Sequence, residues 1–140
     1  MNPYTPPGYP QATVASPTRT PFLLAAVGAW LAAAYWAALT LLIGVGAVMG
    51  SLSGVQIILP VVLVVLYVLR GTQLFKGDPN AARRILWLHG VGGVVAIVQV
   101  ISGGGLFAIL QGIKVAIHVF GGVTAYLAQR SLTRVPNWQG

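Results

Sequence analysis

No charged side chain occurs between Arg19 and Arg70. A water-soluble domain carries charge on about a quarter of its residues, because its surface must be solvated. In this chain only 6% of the residues are charged and 56% are hydrophobic. So few charges cannot cover a water-facing surface, and we therefore predict that lipid is the solvent of an integral membrane protein.

Four apolar runs are long enough to cross a bilayer as helices. Short uncharged turns separate the first run from the second and the third from the fourth, which favours antiparallel neighbours. The sequence therefore predicts an all-α fold, an up-down-up-down bundle of four transmembrane helices within residues 21–129. The predicted spans are residues 22–49, 55–75, 80–101 and 106–128.

Two tails flank the predicted bundle. Residues 1–20 are rich in proline and polar residues and lack an apolar period, so we predict a disordered segment. Within it, Pro6–Tyr9 matches the PPxY pattern that aromatic grooves bind in polyproline II form, although the composition favours a plain flexible tail. Residues 130–140 form a second, shorter tail.

The loop between the second and third spans is marked by residues that end and begin helices. Gly77 suits a left-handed C-cap, Asp78 suits the N-cap of the next helix, and Pro79 suits its first position. Within the second span, Pro60 removes a backbone donor, and we expect it to kink that helix.

The basic residues predict how the bundle is oriented in the membrane. If the chain crosses four times, they all fall on one side, and the two short turns on the other side have none. Positive charge marks the cytoplasmic face, so we expect both termini in the cytoplasm, with Tyr67, Trp87 and Tyr126 at that interface. The basic residues in question are Arg19, Arg70, Lys76, Arg83, Arg84, Arg130 and Arg134.

The layout resembles that of small bacterial membrane proteins with a proline-rich cytoplasmic tail, four helices and a short basic loop such as Lys76–Arg84. The preference for Ala, Gly, Val and Arg over Lys and Asn is also typical of a GC-rich bacterial genome. This resemblance implies a bacterial inner membrane. It concerns architecture, and no functional residues follow from it.

Composition also excludes several function classes. The chain has no cysteine, and Asp78 is its only acidic residue, so thiolate chemistry and paired carboxylates are absent. The basic residues occur singly or in pairs at the ends of apolar runs, which argues against a nucleic-acid interface. Two histidines without an acid or a nucleophile nearby do not form a catalytic constellation, so we expect a non-enzymatic protein.

Polar residues inside the predicted membrane region are concentrated in the last hairpin. We define the polar seam as His89 and Gln99 on the third helix with Gln111, Lys114 and His118 on the fourth. The last three follow i, i+3, i+7 spacing and therefore share one helix face. A turn at residues 103–104 would place His89 level with His118, and would pair Gly93 with Lys114 and Ala96 with Gln111.

The simplest interpretation of the polar seam is structural, because interhelical hydrogen bonds of this kind stabilise a bundle by about 0.6 kcal/mol each. Lys114 needs a further explanation, since no span contains an acid to pair with it. Its side chain can extend toward the outer surface, it can stay neutral, or it can pair with an acid of a partner membrane protein or with a lipid phosphate.

The two histidines also allow an alternative with a cofactor. His89 and His118 at one depth suit a bis-histidine haem b, yet helices of one hairpin pack about 8–10 Å apart, which is too close unless the ligands come from different subunits. Two imidazoles alone are one or two ligands short of a closed zinc site. We therefore predict no cofactor and no metal, with haem as the alternative.

Three functions remain open from the sequence. The first is a non-enzymatic accessory or assembly subunit in the bilayer. The second is a homo-oligomeric transport protein for an ion or a small solute that uses Lys114. The third is a haem-binding electron carrier that uses His89 and His118.

Overall fold

A computed structural model of the protein describes residues 19–50, 54–102 and 105–133. Within these ranges the chain forms four α-helices and no strand, and a 3₁₀ turn, Gly54–Ile57, precedes the second helix. The helices are α1 (Arg19–Val48), α2 (Ile58–Phe75), α3 (Pro79–Ser102) and α4 (Gly105–Thr133). All four are long and apolar enough to cross a membrane. The prediction of an all-α four-helix bundle is confirmed.

The helices pack in the order in which they follow one another. The most extensive contacts join α3 with α4, α1 with α2, and α1 with α4, whereas α2 and α3 touch less. The diagonal pair α1 and α3 makes the fewest of these contacts. This arrangement is the one expected for antiparallel neighbours closed into a bundle by the first and last helices.

Small residues on α1 allow the first and last helices to approach closely. A Cβ at Gly28 of α1 would lie 2.7 Å from the Cα of Gly121 in α4, so the two backbones are nearly in contact there. In lipid, where no hydrophobic effect drives helices together, such close packing is the main source of attraction. The buried small residues of α1 are Ala25, Ala26, Gly28, Ala29, Ala32 and Ala33.

The bundle is densely packed at one end and looser at the other. The dense end combines the start of α1 with the end of α2, where Leu74 is fully buried, and the start of α3, where Ile85 is fully buried. Toward the opposite end, large apolar side chains such as Val48 and Ile101 are exposed. Their apolar surface there is suited to contact with lipid.

The loop between α2 and α3 has the caps that the sequence predicts. Gly77 has a φ of +84°, and its N–H donates to the carbonyl of Leu74 at 2.8 Å. The N–H of Asp78 donates to the carbonyl of Gln73 at 3.0 Å, which completes a Schellman motif. An oxygen of Asp78 then accepts the N–H of Asn80 at 2.9 Å and caps α3, which begins at Pro79.

Three details differ from the prediction. Pro60 lies in the first turn of α2, directly after the 3₁₀ turn, so its missing donor breaks no hydrogen bond between residues of α2. Helix α1 begins at Arg19, and α4 continues to Thr133, with Arg130 in its last turn, where a cation suits the helix dipole. The rest of the predicted tails, including Pro6–Tyr9, lies outside the described residues.

Candidate functional site

The polar seam lies inside the bundle. Four of its members are buried, with His89 only 1% exposed and Lys114 4% exposed, while Gln99 is partly buried. Polar side chains placed this deeply in a membrane bundle are costly unless they find partners. The contacts they make therefore define what the site can do.

The two histidines contact each other directly. His89 Nδ1 lies 3.1 Å from His118 Nδ1, and the ring planes meet at 66°. The two rings therefore meet, although the backbones of the two residues are offset by about one turn from the level placement that the sequence predicts. Because a hydrogen bond between two ring nitrogens needs one donor and one acceptor, only one of these two nitrogens carries a hydrogen.

Each imidazole rests on a glycine of the opposite helix. A Cβ at Gly92 of α3 would lie 2.7 Å from Nε2 of His118, and a Cβ at Gly121 of α4 would overlap the ring of His89. The arrangement is reciprocal, because each histidine packs on the glycine three residues after the other one. The sequence signal is the pattern H-x-x-G-G, which occurs at residues 89–93 and again at 118–122. Sequence reasoning missed this repeat.

Tyr67 of α2 joins the two histidines. Its hydroxyl lies 3.5 Å from His118 Nδ1, and its ring centroid lies 5.1 Å from that of His89. The sequence places Tyr67 at the cytoplasmic interface, where rings contact lipid headgroups, whereas its side chain is buried inside the bundle. The i, i+4, i+7 spacing with the buried Gly71 and Leu74 is the signal that could have placed it on the inner face of α2.

Lys114 turns into the bundle. Its Nζ donates to Oε1 of Gln99 at 3.1 Å and lies 4.6 Å from the ring centroid of Trp36 on α1. The predicted alternative in which the Lys114 side chain extends toward the outer surface is therefore wrong. The reason is that an amide acceptor across the hairpin and an aromatic face on α1 both solvate the amine locally. The contribution of Trp36 was not predicted.

The predicted pairing of the hairpin is offset by about one turn. Gly93 lies opposite His118 and not opposite Lys114: a Cβ at Gly93 would be 3.6 Å from the Cβ of His118. The amine of Lys114 instead reaches Gln99.

Around this region three buried polar atoms find no hydrogen-bond partner among the described residues, namely Trp36 Nε1, His89 Nε2 and Gln111 Oε1. Unpaired buried polar atoms are unusual in native proteins, so this part of the interior has unused capacity for hydrogen bonding.

The geometry does not fit a bis-histidine haem within one chain. With metal–nitrogen bonds of about 2 Å, two nitrogens on opposite sides of an iron lie about 4 Å apart. The two Nδ1 atoms are 3.1 Å apart and bond to each other. The rings are also held against glycine backbone on both helices, which leaves no slot for a porphyrin between them.

A groove runs along the outer face of α3 and α4, directly outside the histidines. We define the glycine groove by Gly90, Gly93 and Gly122, which line a cavity of about 340 Å³ together with both histidines and apolar side chains. The site thus has two parts, a buried polar interior and an apolar outer groove. No protein-family model, no curated protein and no solved structure matches this chain.

Proposed function

We propose that this protein is a non-enzymatic accessory subunit of the bacterial inner membrane that assembles with a transmembrane helix of another membrane protein. The glycine groove is the observation that carries the proposal. It is a concave surface on two helices whose outward-facing side chains are mostly apolar.

The groove has the properties of a surface for helix docking in lipid. Small residues allow backbones to approach closely, and this packing replaces the hydrophobic effect as the driving force. A Cβ at Gly90 would meet no atom within 4 Å, so the space beside it lies outside the bundle. Val94 and Val123 also line the groove, so its surface matches an apolar helix better than a polar substrate.

The polar interior supports a non-enzymatic role. An enzyme must bring a nucleophile, a base or a metal within reach of its substrate. Here His89 and His118 are almost completely buried and bond to each other, and Lys114 bonds to Gln99. Side chains turned toward one another in this way stabilise the bundle and offer little to a molecule outside it.

The proposed orientation follows from the basic residues. Arg19 begins α1, Arg70 and Lys76 lie near the end of α2, and Arg83 and Arg84 lie in the first two turns of α3. These positions share one end of an antiparallel bundle. Positive residues are retained on the cytoplasmic side, so we propose that this end, with both termini, faces the cytoplasm.

A homo-oligomeric ion transport protein that uses Lys114 is the second candidate. Its support is a buried amine without an acid in any helix, beside the unpaired Trp36 Nε1. A donor-rich interior of this kind suits an anion. The assembly proposal does not need a partner's acid for Lys114, because Gln99 and Trp36 already contact it.

Native mass spectrometry of the protein, extracted gently from its own membrane, tests the proposal. We expect a stoichiometric complex with a second membrane protein. Gly90→Leu should fill the groove and release the partner, while the bundle stays folded. Gly112→Leu is the matched control, because Gly112 is also an exposed helical glycine with open space beside it.

The other outcomes are equally informative. A homo-oligomer without a partner would contradict the assembly proposal and favour transport through Lys114. Equal loss of the partner in Gly90→Leu and Gly112→Leu would show that the groove is not the docking surface.

A further inference from the structure

Three side chains from three helices bring a nitrogen or an oxygen atom into one cluster, with His118 Nδ1 in contact with the other two. His89 Nδ1 on α3 and His118 Nδ1 on α4 are 3.1 Å apart, and the Tyr67 hydroxyl on α2 lies 3.5 Å from His118 Nδ1. Imidazole nitrogens are common ligands of zinc, copper, iron and nickel, and tyrosine oxygen also binds iron. We infer that these three residues form a binding site for a single divalent transition-metal ion.

The distances agree with ligands that lie side by side on one ion. With metal–nitrogen bonds of 2.0–2.1 Å, two ligands at an angle between 90° and the tetrahedral value lie about 2.8 to 3.4 Å apart. The two histidine nitrogens fall within that range. The Tyr67 oxygen lies just beyond that range from His118 Nδ1.

Hydrogen bonds among the three atoms cannot all be strong at once. His118 Nδ1 has either one lone pair or one hydrogen, yet it has two polar neighbours, His89 and Tyr67. One of these two contacts must therefore be weak. An ion among the three atoms would use a separate lone pair from each of them.

The helices hold the three ligands in place. The rings of His89 and His118 lie against Gly121 and Gly92, and neither ring has room to move toward the opposite backbone. Tyr67 is fully buried and packs on both rings. Ligands fixed on helices and locked by packing require little reorganisation on binding, which favours affinity.

The charges around the site make a further prediction. A divalent ion that displaces the phenol proton of Tyr67 releases one H⁺ and adds a net charge of +1 to the interior. Lys114 lies one helical turn from His118, and no helix contains an acid. A charged Lys114 opposes the ion, so Lys114→Met should increase the affinity at least about tenfold, because charges this close interact strongly at low dielectric.

Copper binding to the full chain in lipid nanodiscs, purified without a histidine tag, tests the site. The chain has two histidines and no cysteine, so a spectrum with two imidazole nitrogens can come only from this centre. We expect one Cu²⁺ per chain and an electron paramagnetic resonance spectrum with two coupled nitrogens. Tyr67→Phe keeps the packed ring and should lower the affinity at least about tenfold.

A pair of glycine variants separates coordination from folding. Gly121→Ala leaves all three ligands in the chain but displaces the ring of His89, so we expect the two-nitrogen spectrum to disappear. Gly112→Ala on the same helix is the matched control, since its Cβ meets open space away from the glycine groove, and it should bind Cu²⁺ as the wild type does. Helix content measured by circular dichroism confirms that each variant is folded.

Three results would overturn the inference. The first is wild-type protein that binds no Cu²⁺ at one equivalent. The second is unchanged affinity in Tyr67→Phe, which would remove Tyr67 from the ligand set. The third is binding that survives His118→Ala, which would place the ion at Asp78 or at the N-terminal amine. None of these results bears on the partner complex, so the two proposals fail independently.

Discussion

The ring of His89 lies so close to Gly121 of the neighbouring helix that even a methyl group at position 121 would overlap it. The same relationship joins His118 to Gly92, so the contact occurs twice in opposite directions. Two glycines therefore determine where two buried polar side chains lie. The stability of the α3–α4 hairpin should depend on these glycines more than on the others.

Gly92→Ala should destabilise the bundle by about 1 to 3 kcal/mol, the usual cost of overpacking a tight interior. The Cβ would collide with the His118 ring and force it away from its contact with His89. Unfolding in micelles with increasing SDS measures the effect. Gly90→Ala on the same helix meets open space and should be neutral or slightly stabilising. Equal destabilisation by both variants would contradict the packing role of Gly92.

The two histidines should be energetically coupled. Removing either one as His89→Leu or His118→Leu leaves a buried nitrogen without its partner, which costs about 1 to 3 kcal/mol. The double variant removes both polar groups and should cost less than the sum of the two single changes. A double-mutant cycle gives the coupling energy, which we expect between about 0.6 and 1.7 kcal/mol. Strictly additive effects would show that the contact contributes nothing.

Tyr67 should stabilise the bundle mainly through its ring in the apo protein. The hydroxyl contact with His118 is long, so Tyr67→Phe should change the free energy of unfolding by no more than about 0.6 kcal/mol. Tyr67→Ala leaves a cavity against both imidazoles and should cost about 3 to 5 kcal/mol. SDS unfolding of the metal-free protein compares the two. A large effect of Tyr67→Phe would mean that the hydroxyl bond is stronger than its length indicates.

Lys114→Met should stabilise the bundle. A cation near the bilayer centre costs roughly 3 kcal/mol, and Gln99 and Trp36 offset only part of that cost because neither is an acid. We expect the free energy of unfolding to rise by about 1 to 3 kcal/mol. Lys76→Met in the exposed loop is the control and should have little effect. A less stable Lys114→Met protein would show that the amine contributes more than its charge costs.

The loop between the two hairpins should depend on Gly77. At a φ of +84° any side chain is strained, so Gly77→Ala should cost about 1 to 2 kcal/mol. Gly112→Ala, within a helix and with open space beside it, should instead be neutral or slightly stabilising. Thermal unfolding followed by circular dichroism distinguishes the two variants. Equal melting temperatures would mean that the loop adopts another conformation.

The spans and the central loop could be predicted because their signals are local. The uncharged run between Arg19 and Arg70 predicts helices long and apolar enough to cross a membrane, and the structure has them. Gly77, Asp78 and Pro79 each favour a conformation that depends on their own backbone, and all three adopt it. The approach of the two histidines followed from a short turn and simple helix geometry, whereas their offset by about one turn did not.

The contacts made with α1 and α2 could not be predicted in the same way. Tyr67 and Trp36 are aromatic residues in apolar helices, and either can face lipid or the interior at similar cost. Which face turns inward depends on contacts between distant parts of the chain, of which the packing of Gly28 on Gly121 is one. The inward direction of the Lys114 side chain is favoured by its contact with Trp36, and because the position of Trp36 was not predicted, that direction was not predicted either.

The two contacts of Lys114 differ greatly in the length of chain that they close. Its bond to Gln99 lies within one hairpin, whereas its contact with Trp36 joins the first helix to the last. Closing the longer loop costs more entropy, so we expect the hairpin of α3 and α4 to form first and α1 to dock later. During biogenesis the amine would therefore stay only partly shielded until α1 arrives, so a helix synthesised before the hairpin would be the one that completes the interior.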